Sequence, residues 1–220
     1  MEVNAIDDVT VGKLYEAAAS FGTKEMQDRN KILLAVFEHT GASVHEALNL
    51  TTASVLNALN IAGDRDVVLF PRLNSKTSPG GTGKRRSYVR TADRQFMLVP
   101  KNIVSQWAEY IHTSRASCVK KAEADDDCYL LVDTKTGEKL TPNSVAQIMQ
   151  DLSEAAGLAQ PVTVRMIRDR FILKLCAVEL IQYCRTVLEN AHKFTVEHSS
   201  DEILKHYLNL NHVSSRRHKD

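Results

Sequence analysis

The sequence predicts a mostly α-helical fold carrying a small antiparallel β-sheet, an α+β arrangement. Three observations predict it. Apolar residues recur at three- and four-residue spacing through the first 50 positions and again over much of 101–191. Two runs rich in Val, Leu and Phe, at 66–73 and 87–99, flank a Gly-rich basic segment and read as paired strands. No internal repeat and no linker-like stretch divides the chain. Residues 1–210 therefore read as one domain and 211–220 as a polar tail.

The elements follow in order. Thr10 is placed to cap a first helix with Val11, Leu14, Tyr15 and Ala18 on one side. A second helix spans 24–39, with Met26, Ile32, Leu33, Val36 and Phe37 as its apolar face and Gly41 as its stop. A short helix covers 44–50. The loop between the strands, KTSPGGTGKRR, holds too much Gly for a regular element, and the second strand ends at Pro100. A helix starts at Lys101 or Asn102 and runs through Trp107 to His112. The charged run KKAEADDD at 120–127 reads as a surface loop, and 128–132 as a short strand. Pro142 and Asn143 open a helix to Ala156. Thr163 is placed to cap a long helical region from Val164 to Ala191, and 200–208 form a last short helix.

Composition narrows the classes. The chain has 220 residues, 43% of them hydrophobic, enough for a sizeable core. Its net charge is +1, so any basic surface is local and not global. The four cysteines, Cys118, Cys128, Cys176 and Cys184, form no CxxC pair, which argues against a zinc knuckle or a redox motif. Cys176 and Cys184 fall in an apolar helical stretch and read as buried free thiols of a reducing compartment. No apolar run reaches the ~18 residues of a membrane span, and the N-terminus lacks the apolar core of a signal peptide. The string GGTGK lacks the spacing of a phosphate-binding P-loop, because Gly81 and Gly83 stand too close to Lys84 and Arg85 follows it.

Four segments carry the chemistry. TGASVHEALNLTTASV at 40–55 is similar to a box written TGLR-x-sE-l-x-L. NSKT at 74–77 sits in the strand–loop–strand. VRMIRDRF at 164–171 resembles H-x-L-R-H-x-F. EHSSDEILKHY at 197–207 resembles GHSS-x-x-TT-x-x-Y, with nine residues from His198 to Tyr207. In this order and spacing the segments resemble the catalytic domain of the tyrosine recombinases, the phage integrase family.

The resemblance implies a DNA breaking-and-rejoining protein of site-specific recombination or integration. Breaking a phosphodiester without a metal needs a nucleophile, cations around the non-bridging oxygens, and a proton donor for the leaving 5′-oxygen. The resemblance gives Tyr207 the first role, through a 3′-phosphotyrosyl intermediate. Without its context Tyr207 would read as a half-buried tyrosine on an amphipathic helix. Arg168 and His198 would hold the scissile phosphate, and Lys76 would be the proton donor, with Lys84 the alternative. Arg165, where the family often has His, would supply charge but no proton, because a guanidinium stays protonated. Read blandly, Arg165, Arg168 and Arg170 are a solvated basic stripe. Lys84, Arg85, Arg86 and Arg90, with Arg94 nearby, would track the DNA backbone.

Two positions depart from the family. Glu197 replaces the Gly before the histidine. Ser43 stands at the first arginine clamp, which predicts impaired chemistry; losing such a clamp costs on the order of 3 kcal/mol in the transition state. The alternative is a non-catalytic DNA-binding protein on the recombinase fold, and a third reading is an interaction protein that no longer binds DNA. The expected partner is double-stranded DNA, with self-association on DNA. No metal, no membrane and no nucleotide cofactor or other cofactor is expected. The expected location is intracellular, at DNA, in a prokaryotic cytoplasm or a host nucleus. The family's N-terminal core-binding domain is not expected in this chain.

Overall fold

The computed structural model describes residues 5–71 and 96–191. Their order is α1 (Asp8–Ser20), α2 (Lys24–Thr40), α3 (Val44–Leu48), α4 (Thr52–Ala62), β1 (Val67–Pro71), β2 (Phe96–Pro100), α5 (Lys101–Tyr110), a π-helical turn (Ile111–Arg115), α6 (Ala116–Lys121), α7 (Pro142–Ala155) and α8 (Val164–Ala191). The fold is mostly helical with one two-stranded antiparallel sheet, as the sequence predicts. In that sheet Leu69 lies opposite Leu98 and Val68 opposite Val99. Val68, Phe70 and Val99 face the core, whereas Val67, Leu69 and Leu98 face outward.

The core is built where the helical faces meet. Leu33, Val36 and Phe37 of α2 are fully enclosed, together with Leu14 of α1, Val55 of α4, Trp107 of α5 and Leu152 of α7. Phe70 and Trp107 pack tilted, with ring centroids 5.6 Å apart, and join the sheet to α5. Two compact units divide the chain, 1–171 and 172–220. The first holds every element up to the opening turns of α8. In the second, Ile172, Leu173 and Val178 of α8 are exposed.

Several local expectations change. The first helix is capped by Asp7 and not by Thr10: the Thr10 N–H donates to Asp7 Oδ1 at 2.7 Å. An ionised carboxylate is the stronger acceptor at a helix N-terminus, and these bonds hold Asp7 below the usual carboxylate range. Helix α4 was not anticipated. Its signal is Thr51-x-x-Ser54, a reciprocal capping box in which the Thr51 N–H donates to Ser54 Oγ and the Ser54 N–H to Thr51 Oγ1, both at 3.1 Å. The helix expected to stop at His112 continues through the π turn to Lys121. The charged loop therefore starts two residues late. It is also more than a solvated surface, because Asp126 pairs with the buried Arg115.

Residues 128–132 are not a regular strand. Leu130 donates to Leu50 O, Leu140 donates to Leu131 O and Asp133 donates to Glu138 O, so the hydrogen bonds go to different segments and no ladder forms. Only isolated bridges, Thr51 to Tyr129 and Val132 to Lys139, remain. Leu130, Leu131 and Val132 are all buried, without the alternation of a half-exposed strand. Cys176 is exposed, against the expectation of a buried thiol, as is Cys128; Cys118 is buried. Cys176 lies past Phe171, where α8 exposes apolar residues on more than one side. The expected last helix at 200–208 and the polar tail lie outside the described residues.

Candidate functional site

The α2–α3 turn begins with Gly41, which ends α2 in the left-handed conformation at φ +61° and donates to Phe37 O at 3.1 Å. Thr40 tightens the turn: its hydroxyl donates to Val36 O and accepts from the Ala42 N–H at 3.1 Å. Ser43 then caps α3. Its Oγ accepts from the Glu46 N–H at 3.3 Å, and the Glu46 carboxylate accepts from the Ser43 N–H at 2.7 Å. The short neutral side chain of Ser43 is thus engaged by its own helix.

Helix α8 meets this turn. Ser153 of α7 donates to Met149 O and accepts from the Val162 N–H at 2.9 Å, which fixes the chain entering α8. Thr163 caps it as expected, with Oγ1 accepting from the Met166 N–H at 3.3 Å. Two turns on, Phe171 lies so close to Gly41 that a Cβ there would clash with the ring. The first and third boxes of the sequence are therefore in van der Waals contact. Arg168 lies three residues before Phe171, on the same flank of α8.

Arg165 extends into solvent, 74% exposed, with Nε 3.9 Å from Asp169. Arg168 is half-buried, and among the described residues it forms no ion pair. Arg170 is not part of a solvated stripe. It is 6% exposed, and its guanidinium bridges Glu38 Oε1 at 2.9 Å and Asp8. Burial pulls its pKa down, but the hydrogen bonds to Asp8 and Glu38 outweigh that and hold it raised. Glu38 accepts a second bond, from the Tyr15 hydroxyl at 2.9 Å. Burial and then the Glu38 charge push the Tyr15 phenol far above its ordinary range.

Sequence reasoning missed this Asp8–Tyr15–Glu38–Arg170 network. The available signal was that Arg170 follows the apolar Ile167 by three residues, on the same face of the helix. Lys76, Lys84, Arg85, Arg86, Arg90, Arg94, His198 and Tyr207 lie outside the described residues. No helix among the described residues is long and apolar enough to cross a membrane.

The described helices and the two-stranded antiparallel sheet match the fold of a tyrosine-recombinase catalytic domain. Among solved structures the chain is similar to XerA recombinase, with a TM-score of 0.51 at 20% identity over 76% of this chain. It is also similar to XerH site-specific recombinase bound to difH substrate in a pre-cleavage complex, with a TM-score of 0.49 at 16% identity over 78% of this chain. The chain spans 48% of the XerA recombinase chain and 42% of the XerH chain. No family model matches the chain, and no curated protein matches it.

Proposed function

We propose that the protein breaks and rejoins DNA strands in site-specific recombination or integration, with Tyr207 as the nucleophile. The observation that carries this reading is the Gly41–Phe171 contact, which joins two of the four sequence boxes on a recombinase fold. In this reading Arg168 holds the non-bridging oxygens of the scissile phosphate and Arg165 adds charge beside it. His198 donates a hydrogen bond to the same phosphate, and Lys76, or Lys84 in its place, protonates the leaving 5′-oxygen. Tyr207 attacks phosphorus and gives up its phenolic proton to solvent, the bond from phosphorus to the 5′-oxygen breaks, and that oxygen takes the lysine proton and leaves as a hydroxyl. The 3′-phosphotyrosyl bond keeps the energy of the broken link, so rejoining needs no ATP. Lys84, Arg85, Arg86 and Arg90 track the backbone of double-stranded DNA, and copies of the chain associate on it, inside the cell.

One observation favours the alternative, a non-catalytic DNA-binding protein. Ser43 is committed to capping α3, so the place of the first arginine clamp offers no cation. A nicked suicide duplex, which traps the covalent intermediate, decides between the two once a target sequence is selected. The enzyme reading expects a protein–DNA adduct that Tyr207→Phe abolishes. Binding to the selected duplex with no adduct supports the alternative.

A further inference from the structure

We propose that Glu38 and Arg170 act as a positioning strut that fixes the rotation of α8 and so aims Arg168 at a DNA phosphate. The inference rests on Arg168 being the phosphate ligand proposed above. Two consecutive residues of α8 are pinned to the end of α2 by different means. Phe171 packs on Gly41, and Arg170 pairs with Glu38, three residues before that glycine. Consecutive helical residues project about 100° apart. Ile167 also seats this part of the helix in the core, and the Glu38–Arg170 pair adds a polar contact at a second azimuth that narrows the remaining roll.

Arg168 lies two residues before Arg170, so its direction follows that roll. A guanidinium reaches roughly 6 Å from the helix axis, and a 20° roll would carry it about 2 Å. Misplacement by about 1 Å is enough to matter at a reacting phosphate. The strut is itself held on both sides. Tyr15 donates to the second oxygen of Glu38, and Asp8 takes another edge of the Arg170 guanidinium. A buried ion pair is a weak source of stability compared with apolar residues of the same volume. It does restrict direction, because the guanidinium is held at two of its nitrogens, one by Glu38 and the other by Asp8.

The test is a double-mutant cycle on the full chain. Affinity for a fluorescein-labelled mixed-sequence 30-base-pair duplex is measured for the parent, Glu38→Gln, Arg168→Ala and the double variant. Far-UV dichroism and melting confirm the fold of each. Arg168→Ala is expected to weaken binding about tenfold. Glu38→Gln is expected to weaken it about threefold or more in the parent, yet by less than about twofold once Arg168 is gone. Equal losses in both backgrounds, or a folded Glu38→Gln protein that binds like the parent, would overturn the strut. Should Arg168→Ala itself bind like the parent, the phosphate-ligand reading falls and the strut with it, so the two failures are distinct. If Glu38→Gln does not fold, Tyr15→Phe replaces it, removing a single hydroxyl from Glu38. A roughly twofold loss that vanishes without Arg168 supports the strut, and a loss that persists overturns it.

Discussion

At Ser43 one side chain answers two demands. Its hydroxyl closes the capping box of α3, and in the proposed function it stands where the recombinase pattern has a cation. Ser43→Arg should therefore shift stability and chemistry in opposite directions. Loss of the cap costs about 1 kcal/mol, visible as a lower melting temperature. A guanidinium offered to the pentacoordinate phosphate should raise adduct formation on a suicide duplex by about tenfold or more. Tyr207→Phe in the same background should give none. A folded, DNA-binding Ser43→Arg protein with no more adduct than the parent would favour the non-catalytic reading. Asp126 makes a pH prediction at the same scale. Its two oxygens accept from the buried Arg115 guanidinium, and this holds the carboxyl below its ordinary value. The folded pKa is depressed, so the stabilisation is present above about pH 3.9 and is lost as pH falls through the lowered value. The melting temperature of Asp126→Asn should trail the parent near pH ~6, and the gap should close toward pH ~2.5. Glu25, held at about 2 by the Lys121 ammonium, titrates in the same acid window and leaves both proteins some acid sensitivity.

Among the elements, the joint between α2, α3 and α8 depends on one glycine. Gly41 needs its left-handed conformation and also lends its missing Cβ to Phe171. Gly157 shares the positive φ but has nothing within 4 Å of a built Cβ. Denaturant titration should separate the two effects. Gly157→Ala should lose about 1 kcal/mol for the backbone alone, and Gly41→Ala about 2 kcal/mol more, since overpacking adds strain. Phe171→Ala should remove most of that excess in the double variant. Equal losses at the two glycines would mean that the ring yields freely. The sequence carried this joint well, because Gly41, Thr163 and the apolar face of α2 are local signals whose physics is local. It carried α4 poorly: the capping box at Thr51 and Ser54 was legible, but the stretch was absorbed into a motif. The π turn was not legible, since one extra residue in a helical turn leaves the apolar spacing nearly intact. Residues 128–132 misled because β-forming side chains report burial as much as pairing. Arg170 was misjudged because its partner Glu38 lies 132 residues away: the spacing from Ile167 marks an inward face, but nothing local names the partner.

Over the whole molecule, a net charge of +1 provides almost no general attraction for DNA. Any affinity must come from a local set of cations, and the folded chain reduces the candidates. Arg29, Arg115 and Arg170 are buried, Lys24 and Lys121 are paired with acids, and Arg165 and Arg168 stand at the start of α8. With Lys76, Lys84, Arg85, Arg86 and Arg90, the proposed interface holds seven. Each phosphate contact contributes about −0.9 to the slope of log affinity against log salt, so the slope for duplex DNA should not be steeper than about −6. Replacing Lys84, Arg85 and Arg86 together by Gln should flatten it by nearly 3, and Arg165→Ala by about 1. Replacing exposed Lys13 by Gln, far from the proposed interface in sequence, should leave it unchanged. A slope that ignores the hairpin triple variant would remove the hairpin from the interface. Affinity indifferent to salt in the parent would remove the phosphate backbone as its target, and with it both DNA readings of the fold.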